Sequence, residues 1–186
     1  MASRRLPTGP VTVRPRSGWV FLGFTLLVTV SFLLAAFAPV RSTTPALATA
    51  AVVVSVIAYI YFVAPRLVIA DDAVRVENSW RTHVVPWGAI VGVETRFGLA
   101  LVTSEGTVHV QAAPSPGLRA MRRGAEPERS TGEPGSPATL IRDHWQGLRD
   151  DGALDPDAEV TTLPRVTHLS LTWGGPALAA VLWLLA

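Results

Sequence analysis

Two uncharged apolar runs, residues 18–38 and 46–64, constrain this chain more than any other feature, because only the seven residues PVRSTTP separate them. The first reads GWVFLGFTLLVTVSFLLAAFA. At about 1.5 Å per residue it makes a helix of roughly 31 Å, enough to cross the hydrocarbon core of a bilayer. The second reads ALATAAVVVSVIAYIYFVA. Trp19 opens the first run, and Tyr59 and Tyr61 close the second, where interfacial aromatics belong. The runs therefore read as two transmembrane helices of a hairpin. Ala46, Ala50, Ala51 and Ser55 give the second helix small residues on which the first can pack closely. A cleaved signal peptide is the competing reading of the first run, since Ala36-Phe37-Ala38 resembles a cleavage site. Against it, the apolar core exceeds the usual length of about 7–15 residues, and Pro39 would follow the cut.

Charge orients the hairpin. The chain has 16 Lys-or-Arg positions, all arginine, and a sequence pI of about 9.9, which raises the question of a nucleic-acid partner. The arginines answer it by their places. Arg4, Arg5, Arg14 and Arg16 lie in a basic N-terminal tail, residues 1–17, and Arg66 follows the second run, whereas the connector holds only Arg41. Between Pro65 and Thr167 the acids outnumber the arginines. The basic excess is a topology signal, and no nucleic-acid partner is expected. It places the N-terminus and whatever follows residue 64 in the cytoplasm, on a multi-pass cell-membrane protein. The tail reads as flexible, having no apolar period. With no cysteine, disulfides and cysteine metal sites are excluded.

Residues 65–113 follow, RLVIADDAVRVENSWRTHVVPWGAIVGVETRFGLALVTSEGTVHVQAA after Pro65. Short β-branched segments alternate with turn residues: strands over 67–70, 74–76, 82–85, 91–96, 99–103 and 107–111. Turns fall at Asp71-Asp72, Asn78-Ser79 and Ser104-Glu105-Gly106, with a corner at Pro86-Trp87-Gly88. The pattern predicts an antiparallel meander. Residues 112–136, rich in Pro, Gly, Arg and Glu, read as a flexible insertion. Arg119, Arg122 and Arg123 cluster there, nearly cancelled by Glu126, Glu128 and Glu133, so a solvated linker is favoured over a lipid or phosphate patch. A helix follows over 137–151, with Ser136 as cap and Pro137 as first residue. Its apolar face of Leu140, Ile141, Trp145 and Leu148 is expected to pack on the sheet, a membrane-surface helix being the alternative. Residues 153–168 read as a linker. Residues 169–186, LSLTWGGPALAAVLWLLA, read as a third transmembrane helix interrupted at Gly174-Gly175-Pro176, with a re-entrant or peripheral tail as the alternative.

Several of these residues carry a resemblance. Pro65-Arg66-Leu67-Val68-Ile69 leaves the second helix, and Asp71-Asp72 precedes Val74-Arg75-Val76-Glu77-Asn78. Arg81-Thr82 then leads to Val85-Pro86-Trp87. Ile90, Val93, the strands of residues 99–110 and the segment from Arg142-Asp143-His144-Trp145 to Arg149 continue it. The chain resembles the bacterial PH-like (pleckstrin-homology-like) domain membrane proteins with an N-terminal transmembrane hairpin. The resemblance implies an α+β fold in which a strongly bent antiparallel sheet, spanning residues 65–152 here, is closed by a C-terminal helix. It implies no known ligand. Phosphoinositide reading through basic strand-loop residues is not expected, because Asp71, Asp72 and Glu77 occupy the first strand pair.

No catalytic or nucleotide-binding motif is present: no phosphate loop with lysine, no G-x-S-x-G, no H-E-x-x-H. The chain reads as a non-enzyme with no cofactor, no metal and no identified small-molecule substrate. His83, His109, His144 and His168 are dispersed; His83 and His109 are the pair that a sheet can bring together, at a spacing matching no metal motif. Trp80, Arg81 and Trp87 are the candidate partner or groove residues, although tryptophans so placed more often plug the end of a small β-core. Exposed strand edges are the other candidate surface. The expected function is a membrane-anchored interaction or assembly module whose partners are the bilayer and a protein or a second copy. The alternative is an accessory or regulatory subunit of a membrane transporter or enzyme complex. No charged residue lies inside any apolar run, which disfavours a transport route.

Overall fold

The computed structural model describes residues 9–15, 18–36, 44–95, 98–113 and 136–185. The chain divides into two compact units. A β unit comprises Met1–Arg14 and Pro65–Pro164, and a helical unit comprises Pro15–Ala64 and Arg165–Ala186.

The β unit is antiparallel throughout. A five-stranded sheet has the order β1 (Val11–Val13), β2 (Arg66–Ile69), β3 (Ala73–Glu77), β4 (Arg81–Pro86), β8 (Thr161–Pro164). A three-stranded sheet holds β5 (Ile90–Glu94), β6 (Ala100–Thr103) and β7 (Gly106–His109), with a register irregularity between Ile90 and Gly92. The period-2 pattern of the sequence does what it predicts. Leu67 and Ile69 face Val76 and Val74 across the β2–β3 ladder, and all four are buried. The opposite face carries Arg66 directly across from Glu77, joined at 2.8 Å. Asp71-Asp72 make the tight turn, with Ala70 N–H donating to the Ala73 carbonyl and Asp72 held to Arg75 at 2.9 Å.

Helix α3 (Pro137–Asp150) closes the core. Ser136 Oγ accepts from Thr139 N–H at 3.2 Å, Pro137 begins the helix, and Gly152, at φ 65°, ends it in a conformation that suits glycine. Ile141 is fully buried and Ala138 nearly so, while Leu140, Trp145 and Leu148 pack partly against the core. Arg142 Nη2 donates to the Val93 carbonyl at 3.4 Å.

Three boundaries differ from the sequence expectation. The tail of residues 1–17 contains β1, paired with β2 through Val11↔Ile69 and Val13↔Leu67. The linker of residues 153–168 contains β8, paired with β4 from Arg81↔Pro164 to Val84↔Thr161. Both strands are too short to show a period, and their ladders come from partners distant in the chain. Ala112 and Ala113, assigned to the insertion, are buried in the core; residues 114–135 lie outside the described residues, as does the Arg119, Arg122, Arg123 cluster.

The helical unit contains α1 (Gly18–Ala36), α2 (Thr44–Phe62) and α4 (Val166–Leu185). Helix α1 meets α2 along a seam of Gly18, Leu22, Thr25 and Thr29, at spacings of four and three residues. A Cβ at Gly18 would overlap the Phe62 carbonyl, so glycine permits the approach. Phe21 stacks on Phe62 with centroids 5.1 Å apart. Thr29 and Ser55, both buried, join their hydroxyls across the seam, and Thr29 Oγ1 also lies 2.9 Å from the Thr25 carbonyl and 3.0 Å from the Ala51 carbonyl. One hydroxyl proton cannot serve all three, so Ser55 donates to Thr29 and Thr29 donates to the carbonyls. Helix α4 runs on through Gly174, Gly175 and Pro176, correcting the expected interruption. Pro176 removes one N–H from the ladder, and Thr172 Oγ1 donates back to the His168 carbonyl at 2.7 Å one turn earlier.

No helix among the described residues is long and apolar enough to cross a membrane. Helices α1 and α2 each contain 19 residues, which at about 1.5 Å per residue gives roughly 28 Å. The crossings expected over 18–38, 46–64 and 169–186 are not supported among the described residues.

Candidate interaction site

The structure separates the candidate tryptophans. Trp87, in the 3-10 turn Trp87–Ala89, is 4% exposed. Its indole N–H donates to the Ala70 carbonyl at 3.0 Å, and its ring lies 4.6 Å from that of His144 on α3. It plugs the core instead of lining a groove. Trp80 sits on the β3–β4 turn and is 39% exposed, next to exposed Arg81. An aromatic beside an arginine is the chemistry that carries binding energy at protein interfaces.

The turn under Trp80 is clamped. Asn78 N–H donates to the Arg81 carbonyl at 2.9 Å. The Asn78 amide donates to the His109 carbonyl at 2.8 Å and accepts from Gln111 N–H at 3.1 Å. This side chain thus imitates one more strand residue at the end of β7. Gln111 Oε1 accepts from both Ser79 N–H, at 2.8 Å, and Ser79 Oγ, at 3.0 Å, and Ser79 is fully buried. The turn signal of Asn78-Ser79 is readable in sequence; the partner Gln111 is not, because only the fold brings it there. Gln111→Ala takes the acceptor from a buried serine. The expected cost is about 2 kcal/mol, the loss of two hydrogen bonds made to a buried residue. The check is the urea midpoint of the full chain, followed through the amide signals of β3 and β7; an unchanged midpoint would show the clamp to be ornamental.

Beyond the turn, register sets Arg81, His83 and Val85 on one side of β4. His83 lies opposite Val76 on β3 and Thr162 on β8, and its Nδ1 is 2.9 Å from Thr162 Oγ1. Partial burial, then the nearby Arg81 guanidinium, pushes the imidazole pKa below its ordinary value. His83 and His109 are not strand partners: His109 pairs with Ala100 in the other sheet.

The strand edges are poor places for an added strand. Pro10 and Pro15 flank the three-residue β1, and β8 ends in Pro164. Val160 N–H, just before β8, is occupied by Glu105 Oε1 at 3.0 Å. The end of β7 is covered by Asn78, and β5 has the irregularity at Val91.

His144 is the second histidine with a lowered pKa, through burial first, with Asp71 acting the other way. Its Nε2 is buried without a hydrogen-bond partner among the described residues, beside the Trp87 ring. Both folded-state values lie below the ordinary 6.5, so the unfolded chain takes up protons first as pH falls. Stability is complete above pH 6.5 and declines as pH drops from there toward the lowered folded values. Urea midpoints at pH 7.5 and 5.5 check this: the acid value should be lower, and the H83Q/H144Q double variant should lose the difference.

No group of His, Asp and Glu among the described residues could hold a metal ion. Residues 64–125, about a third of the chain, match the model of the Bacterial PH domain family. The match takes in β2 to β7 and leaves β1, α3 and β8 outside it. No curated protein and no solved structure matches the chain. A PH-like domain suggests a non-enzymatic interaction module, and the β unit has the antiparallel sheets to go with it.

Proposed function

We propose that the chain is a membrane-anchored interaction module, with the helical unit embedded in the bilayer and the PH-like unit presented in the cytoplasm to a protein partner. One observation carries the anchoring. Val20, Phe24, Leu27 and Leu34 of α1 are 65–75% exposed, on several sides of a helix without a charge. A helix that is apolar all round needs an apolar surrounding. The Thr29–Ser55 hydroxyl contact supports the same reading, since such bonds join helices in lipid. The clamped Trp80-Arg81 turn supports the interaction role.

The chain lacks cysteine, so single cysteines introduced at Ser104 and Thr43 report topology cleanly. The protein should remain in the membrane pellet after alkaline carbonate extraction. An impermeant maleimide applied to intact cells should label position 43 and spare position 104. Extraction into the soluble fraction would remove the anchor from the proposal; labelling at position 104 would reverse the orientation. A photo-crosslinker at position 80 tests the interaction role, which requires a discrete protein adduct in intact cells.

A further inference from the structure

We propose that Arg81, His83 and Thr162 form a binding site for a carboxylate group carried by the protein partner, an acidic side chain or a chain terminus. This rests on the interaction-module reading and names the chemistry of what is bound.

The arginines of β2, β3 and α3 set the contrast. Arg66 is paired with Glu77 and Arg75 with Asp72. Arg142 donates to the Val93 carbonyl, and Arg149 lies over the Trp145 ring at 5.6 Å. The Arg81 side chain has no hydrogen-bond or ion-pair partner among the described residues. It also stands close enough to His83 to oppose protonation of that ring. Across β4 the neighbours of His83 are Val76 and Thr162, and no carboxylate among the described residues acts on it. The fold thus sets an uncompensated cation beside a partly buried imidazole, an arrangement that a bound anion relieves.

The geometry selects the anion. A guanidinium offers two parallel N–H groups in the plane of a carboxylate. Thr162 occupies His83 Nδ1; when its hydroxyl donates there, the neutral ring carries its proton on Nε2 and becomes a third donor. A single permanent positive charge matches one carboxylate. The site also has a fixed frame: Arg81 belongs to the turn clamped by Gln111, and β8 holds Thr162 against β4.

The test uses the full chain in detergent, with 13C-labelled histidine. An end-blocked peptide alternating Glu and Gly is titrated while the His83 Cε1 signal is followed. The signal should move, and the His83 pKa should rise, because a bound anion favours the charged ring. The Gln-for-Glu peptide should do neither. R81Q should weaken binding about tenfold, the usual consequence of removing a charge-assisted hydrogen bond. T162V should weaken it with Arg81 still present. Inorganic phosphate is the competing arm. Phosphate binding as tightly as the Glu peptide, or a titration unaltered by both variants, overturns the proposal. The position-80 crosslink separates the two levels. An adduct that survives in R81Q, with no peptide response in the wild type, sinks the carboxylate site and keeps the interaction module. An Arg81-dependent peptide response without any cellular adduct keeps the site and sinks the module.

Discussion

Replacing Trp87 by alanine should cost about 4 kcal/mol of β-unit stability, the usual range for emptying a buried aromatic site being about 3–5 kcal/mol. Trp87 lies between three elements. It follows β4 at the corner into β5, its indole N–H is bonded to Ala70 at the β2–β3 turn, and its ring meets His144 on α3. Truncation removes the filler that these elements share, and the strands are fixed by their ladders while α3 is held by Ile141 and Ala138 in the core, so the space cannot collapse cheaply. A domain has only about 5–15 kcal/mol in total. The variant should therefore be partly unfolded at physiological temperature. Trp87→Phe separates the two contributions: it keeps most of the ring but leaves the Ala70 carbonyl without its donor, and should cost about 1–2 kcal/mol. Native-state hydrogen exchange on the full chain, read at β3 and β6 amides, measures both. If Trp87→Ala instead left exchange unchanged and abolished the crosslink at position 80, the residue would be a groove residue after all.

That expectation could not be drawn from sequence alone, and the reason is general to this chain. Trp80 and Trp87 occupy similar settings in sequence, each beside a turn residue in a β-rich stretch. Only the pairing of β4 with β3 and the docking of α3 decide which is covered. Local features were readable: the alternation that buries Leu67, Ile69, Val74 and Val76, the Asp71-Asp72 turn, and the Ser136-Pro137 start of α3 all follow from neighbours within a few residues. Features that depend on distant partners were not. β1 and β8 are strands because β2 and β4 offer them edges, and Thr162 matters because β8 carries it to His83. The Thr29–Ser55 contact lies between: Ser55 belonged to the small-residue set that sequence assigned to helix packing, whereas its hydroxyl partner needed the register of α1 on α2.

The second large effect arises at one of these distant joints. A side chain at Gly88 has no room: an added Cβ would overlap the carbonyl of Asp155. The obstacle is backbone, so no rotamer change relieves it. Nor is the Asp155 segment free to retreat. Asp157 N–H donates to Asp155 Oδ1 at 3.1 Å, and Val160 N–H is tied to Glu105 at 3.0 Å, immediately before β8. Gly88→Val must displace either the Trp87–Ala89 turn or the approach to β8. The expected cost is about 3 kcal/mol, at the upper end for overpacking of a closed site. The loss should be uneven: exchange should accelerate first at β8 amides, because β8 is an edge strand paired only with β4. Gly92→Ala is the matched control. There an added Cβ meets only the Val102 Cβ at 3.9 Å, an ordinary contact, and stability should stay within about 1 kcal/mol of the parent. Equal effects at the two glycines would mean that Asp155 does not press on this turn. A selective loss at Gly88 would show that β8 is held from both ends, by its ladder with β4 and by the turn beneath Asp155. The position of Thr162 beside His83 would then depend on a glycine in the turn after β4.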